Sequence, residues 1–64
     1  MRELSPRETE VMRYLAEGRT LQETADEMGV THATVKTLLG RILLKLDAKN
    51  RAQAVFLWMN GDKP

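Results

Sequence analysis

The sequence has no cysteine, which removes disulfides, thiolate nucleophiles and zinc–thiolate clusters from consideration. Its one histidine, His32, is too few for a multi-histidine metal site. Aromatic residues are scarce, with one each of Phe, Tyr and Trp. No apolar run approaches the roughly 18 residues that a membrane-crossing helix needs. The opening Met1-Arg2-Glu3-Leu4-Ser5-Pro6 lacks an apolar h-region, so no signal peptide is expected and a cytoplasmic protein without a membrane partner is the default. No nucleophile–histidine–carboxylate set and no paired-carboxylate cleft can be assembled. Ligand clefts of roughly 300 Å³ or more are expected to need more scaffold than this. Catalytic residues, cofactors and metal ligands are therefore all expected to be none, and the chain reads as a non-enzyme.

What is present is 64 residues, 42% of them hydrophobic and 30% charged, enough for one small domain over 1–64, with 1–4 and 61–64 as short tails. A chain this short buries only about 60% of the surface its unfolded form exposes, so a monomer is marginal. The net charge of +1 conceals segregation. Residues 1–30 hold four basic side chains against seven acidic, giving −3; residues 31–64 hold six against two, giving +4. The excess lies within 36–51, in Lys36, Arg41, Lys45, Lys49 and Arg51. An anion-facing surface and an ordinary solvated helix face both account for it.

Punctuation divides the chain into four short helices, an all-α class. Ser5-Pro6-Arg7-Glu8 is a start signal, with Ser5 as cap, Pro6 in the first turn and Glu8 closing a capping box. The first helix is predicted to run to about Glu17, with Val11, Met12 and Leu15 inward and Gly18 as a left-handed stop. Thr20 with Glu23 repeats the capping signature for a second helix over roughly 21–28, ended by Gly29. Thr31 caps a third of about 15 residues, ending near Leu46 with Asp47 as its left-handed residue. Asn50 caps a fourth over roughly 51–60, and Gly61 terminates it. The tail Asp62-Lys63-Pro64 is expected to fray.

The second and third helices are separated by Gly29 and Val30 before the Thr31 cap, which forces a sharp crossing and reads as a helix-turn-helix. Ala25 is small where the helices cross, Gly29 supplies the left-handed backbone, and Met28, Val30 and Val35 fill the wedge between them. At 100° per residue, Val35, Leu39, Ile42 and Leu46 fall within about 60° of arc and form the core stripe. Leu38 and Leu43 flank it. Ala33, Lys36, Thr37, Gly40, Arg41 and Leu44 point away. Small and polar groups beside Lys and Arg suit the DNA major groove, the capped N-terminus can hold a phosphate, and Lys45, Lys49 and Arg51 are placed to flank the groove.

From Leu4 to Val55 the sequence resembles the LuxR-type (GerE-like) helix-turn-helix domain. The resemblance rests on Leu4-Ser5-Pro6-Arg7-Glu8, Glu10-Val11, Ala16-Glu17-Gly18, Glu23-Thr24-Ala25, Gly29-Val30, Thr34-Val35-Lys36-Thr37, Arg41-Ile42-Leu43, Lys45-Leu46 and Asn50-Arg51-Ala52-Gln53-Ala54-Val55. It implies a bacterial four-helix domain that reads the major groove of double-stranded DNA with its third helix, forms a homodimer through its fourth, and controls transcription from the nucleoid. Lys36 matches the family's DNA-contacting lysine and Thr37 a base-proximal position. Thr31 and Thr34 match positions that touch phosphate, and Thr20 the start of the second helix; capping alone accounts equally for Thr31 and Thr20. Arg51 lies near a basic contact, or organises the start of the fourth helix. His32 is an exposed side chain or a phosphate or base-edge contact. Thr20-Leu21-Gln22-Glu23 followed by Ala25 also resembles region 4 of bacterial sigma factors, a match the later Lys45-Leu46 and Asn50-Arg51 pairs fit less well.

Several residues depart from the family pattern. Gly40 and Leu44 stand on the groove-facing side where longer or basic residues are usual, Leu38 where histidine is frequent, Thr24 where isoleucine is buried, and Leu21 near DNA where a polar residue is usual. The fourth helix, Ala54-Val55-Phe56-Leu57-Trp58-Met59, is apolar all round. Ala54, Phe56, Leu57 and Trp58 are expected at a dimer interface, with Trp58 simply covering the core as the alternative. Because the chain starts almost at its first helix, no input domain is expected, and control would come from abundance or a partner. The competing function is a small antagonist or adaptor that binds a larger regulator or RNA polymerase through Phe56, Trp58 and exposed leucines.

Overall fold

Capping chemistry within three residues sets where each helix begins. The computed structural model describes residues 3–61, so the expected fraying of Asp62-Lys63-Pro64 lies outside the described residues. The helices are α1 (Pro6–Ala16), α2 (Leu21–Met28), α3 (His32–Leu46) and α4 (Arg51–Asn60). At α1 the Glu8 amide donates to Ser5 Oγ at 3.1 Å and the Ser5 amide donates to Glu8 Oε1 at 2.8 Å. At α2 Thr20 and Glu23 make the same reciprocal pair at 3.0 and 2.9 Å. Thr31 accepts from the Thr34 amide at 3.1 Å, and Asn50 from the Gln53 amide at 2.8 Å. Each cap satisfies a backbone donor that the helix itself leaves unpaired.

Three of the helices end by one device. The chain turns left-handed at Gly18, Gly29 and Asp47, with φ of 90°, 71° and 56°. The next amide reaches back five residues, Arg19 to the Tyr14 carbonyl at 3.1 Å, Val30 to Ala25 at 3.0 Å, and Ala48 to Leu43 at 2.8 Å. Apolar contact usually accompanies this turn. After α1 the same place is taken by the Arg19 guanidinium, 5.4 Å from the centre of the Tyr14 ring, a cation–π contact. α1 ends at Ala16, one residue before the expected Glu17.

The core is aliphatic: Val11, Met12 and Leu15 from α1, Ala25 from α2, Val35, Ile42 and Leu46 from α3, and Ala54 from α4. Leu38, Leu39, Met28 and Val30 pack partly buried against it, as does Leu21. α1 and α3 each touch every other helix, whereas α2 and α4 do not touch each other. Thr24 is fully buried, its hydroxyl donating to the Thr20 carbonyl at 2.9 Å, so the polar replacement of an aliphatic side chain is hydrogen-bonded rather than stranded. Among the described residues no helix is long and apolar enough to cross a membrane.

Candidate nucleic-acid interface

The turn through Gly29 and Val30 fixes which side of α3 faces out. Once Val35, Ile42 and Leu46 are committed to the core, helical geometry sends the residues half a turn away into solvent. His32, Ala33, Thr34, Lys36, Thr37, Gly40, Arg41 and Leu44 are all exposed. Thr31 caps the near end, its hydroxyl 3.0 Å from that of Thr34. The structure therefore gathers seven of the expected DNA-facing positions, Thr31, His32, Thr34, Lys36, Thr37, Gly40 and Arg41, onto one helix and its cap.

Charge on this surface is one-sided. From Val30 to Leu46 the sequence has no acid. Among the described residues Lys36, Arg41, Lys49 and Arg51 enter none of the ion pairs. Elsewhere Arg13 is likewise unpaired, but Arg7 and Arg19 are matched within the chain. Arg7 pairs with Glu10 at 3.1 Å, and Arg19 with Glu17 at 3.2 Å and Glu27 at 3.0 Å. Exposed pairs of this kind add little stability, but they quench the local potential.

Two expected contacts sit apart from α3 and close to each other. Thr20, at the start of α2, and Arg51, at the start of α4, line one open groove of about 410 Å³ with Leu15, Arg19 and Val55. It is an open surface groove rather than the enclosed ligand cleft that so short a chain is not expected to hold. The hollow exists because α2 and α4 both pack on α1 without meeting each other.

Lys45 has a partner that the sequence reading did not foresee. Its ammonium donates to Glu8 Oε1 at 2.8 Å, across 37 positions of sequence. Glu8 is 2% exposed. Burial works to raise its pKa, but the hydrogen bond from Lys45, the bonds from Ser5 and the Lys45 charge together hold it below the ordinary carboxylate value. The reading of Ser5 and Glu8 as a capping box is correct and missed this second partner. The only signal for it was that Lys45 lies at the edge of the core stripe of α3.

The fourth helix also needs correction. Ala54, expected at an interface, is fully buried in the chain's own core and has no side-chain surface left for a partner. Trp58 and Leu57 are partly buried against the core, so covering the core describes Trp58 better than projection into solvent. Phe56 and Met59 are the large side chains of α4 that stay outside, at 62% and 52% exposure.

With this geometry in place, comparison with known proteins decides the family. The GerE model, described as bacterial regulatory proteins of the luxR family, matches residues 2–58. The chain belongs to the luxR family. Among its luxR-family relatives, the probable HTH-type transcriptional regulator GfsR of Streptomyces halstedii is 41% identical over 56 residues, covering 88% of this chain and 23% of that protein. The transcriptional regulatory protein LiaR of Bacillus subtilis is 45% identical over 51 residues, 80% of this chain and 24% of LiaR. The transcriptional activator protein YukR of Yersinia ruckeri is 43% identical over 54 residues, 84% of this chain and 24% of YukR. The chain thus spans about a quarter of the length of the curated relatives it matches.

Proposed function

We propose that this luxR-family domain is a sequence-specific DNA-binding module that regulates transcription, with α3 seated in the major groove. The observation that carries the reading is the outward face of α3, which is exposed and free of acids and holds Lys36 and Arg41 without internal partners. Three relatives are named as transcriptional regulators or activators, which supports the same reading. In it, Thr31, Thr34 and the first amides of α3 meet phosphate and set register, while Lys36 and Thr37 reach base edges. Thr20 and Arg51 bracket a second stretch of backbone from their shared groove. Gly40 leaves the middle of the reading surface without a side chain, so Lys36, Thr37 and Arg41 carry the discrimination.

A twofold dimer completes the proposal. Phe56 and Met59 would meet their counterparts on a second copy and place two recognition helices on inverted half-sites of one duplex. Sedimentation at micromolar concentration tests this part: a dimer is expected, and a persistent monomer with DNA bound contradicts it. Leu44, 76% exposed on the outward face of α3, favours a second reading in which that face meets a larger regulator or RNA polymerase. Steep loss of duplex binding with added salt marks phosphate neutralisation and speaks against this alternative.

The direct test is selection of duplexes from a random-sequence pool, followed by Lys36→Ala. An enriched inverted repeat is expected, with binding of the enriched duplex by the variant weakened by about 1–3 kcal/mol at matched salt. Unchanged binding by Lys36→Ala overturns the site.

A further inference from the structure

We propose that Glu8 is a positioning residue for DNA recognition: through Lys45 it fixes the rotation of α3 on α1, and with it the register of the reading face. The inference rests on the DNA-binding function proposed above and adds a part to it on the flank of the helix, beside the reading face.

Val35, Ile42 and Leu46 are aliphatic, and dispersion and burial are non-directional. They hold α3 against α1 but resist a small rotation about its own axis only weakly. Gly40, midway along the outward face, has nothing within 4 Å of where a Cβ would stand, so no contact on that face resists the rotation. A rotation of about 10–20° moves a side-chain tip some 6 Å from the axis by roughly 1–2 Å, which is enough to lose a base-edge hydrogen bond.

Directional contacts pin α3 at its two ends. The near end is held by the left-handed Gly29 and the Thr31 cap. At the far end stands Lys45, about 90° round the helix from the centre of the core stripe, where a fixed contact has the greatest leverage against rotation. Its partner cannot drift. Glu8 is buried, and its Oε1 accepts both the Ser5 amide and the Lys45 ammonium, each at 2.8 Å. One oxygen therefore ties the start of α1 to the last turn of α3, across a helix of 15 residues, or about 22 Å.

Of the two substitutions that break this contact, Glu8→Gln predicts opposite outcomes for a positioning role and for a direct DNA contact by Lys45. Glu8→Gln removes a negative charge and lets the partly exposed Lys45 ammonium leave for water. If Lys45 served DNA by its charge, this variant would bind more tightly. If the pair serves position, binding of the selected duplex weakens despite the more positive protein.

The experiment uses a duplex that the parent protein enriches from a random-sequence pool, beside a scrambled duplex of the same length and composition, over a series of salt concentrations. Circular dichroism verifies that each variant is folded at the binding temperature. For Glu8→Gln and Lys45→Met, the ratio of selected to scrambled affinity is expected to fall about tenfold, comparable to loss of one base contact, with the salt slope of Lys45→Met unchanged. Lys45→Arg, which preserves a charged donor to Glu8, is expected to restore the ratio. If Glu8→Gln does not fold, the Lys45→Met and Lys45→Arg pair gives the same reading. Undiminished discrimination by folded Lys45→Met, or a salt slope reduced by about one as for a lost phosphate contact, overturns the positioning role and leaves DNA binding intact. A parent protein that enriches no duplex overturns both.

Discussion

Arg7 and Arg19 each meet carboxylates from their own half of the chain, whereas Lys36, Arg41, Lys49 and Arg51 meet none among the described residues. The first group belongs to α1 and the turn before α2; the second runs along α3 and into α4. Glu23, Asp26 and Glu27 on α2 are exposed, yet the helix that follows across a short turn carries no acid before Asp47. Net charge close to zero therefore describes neither half. A polyanion would be repelled by one surface and drawn to the other, which orients the domain before any specific contact forms. Lys45 sharpens the contrast: it lies on α3 but takes its partner from α1, and so belongs energetically with the first group.

The same contrast divides the two faces of α3, and substitutions on each should separate stability from binding. The largest effect is expected inside. Ile42 is fully buried, and Ile42→Ala should cost about 2–5 kcal/mol, enough to unfold much of a marginal domain; urea denaturation measures it. A loss below about 1 kcal/mol would mean that the core relaxes around the gap.

The paired half should also show itself in acid. Glu8 titrates below its ordinary value of 4.5 in the folded protein. The unfolded chain therefore takes up that proton first as pH falls. Stability from this group is complete above the ordinary carboxylate value and is lost as pH drops through the lowered one. Between about pH 7 and pH 3 the parent should lose more stability than Glu8→Gln, read as the difference in urea midpoints. Equal losses would mean that the Glu8–Lys45 contact does not persist in solution.

The outer face should respond least. Gly40 is exposed, helical and without neighbours, so Gly40→Ala should raise stability by about 0.5–1 kcal/mol through helix propensity alone. Thermal unfolding checks it, and a destabilised variant would reveal a packing role that the structure does not contain.

What could be read in advance follows from how far each interaction reaches along the chain. Ser5 with Glu8, Thr20 with Glu23, Thr31 with Thr34 and Asn50 with Gln53 are three residues apart, and all four starts were legible. The stops at Gly18, Gly29 and Asp47 were legible because few residues tolerate a left-handed backbone. The outward face of α3 followed from period and from the position of Val35, Ile42 and Leu46. The Glu8–Lys45 bond was not legible, because nothing local links residues 37 apart. The inward turn of Ala54 escaped for another reason. A helix apolar on every side has no phase to read, and only its packing on α1 and α3 decides that Ala54 goes in while Phe56 stays out.

Salt dependence of duplex binding tests most directly whether the unpaired cations of α3 and α4, rather than overall positive charge, hold the nucleic acid. Arg51→Met and Arg7→Met remove the same charge from the same protein. The slope of log affinity against log salt should shrink by about one for Arg51→Met, as for one lost phosphate neutralisation, and stay at the parent value for Arg7→Met. Equal slopes in the two variants would contradict the account.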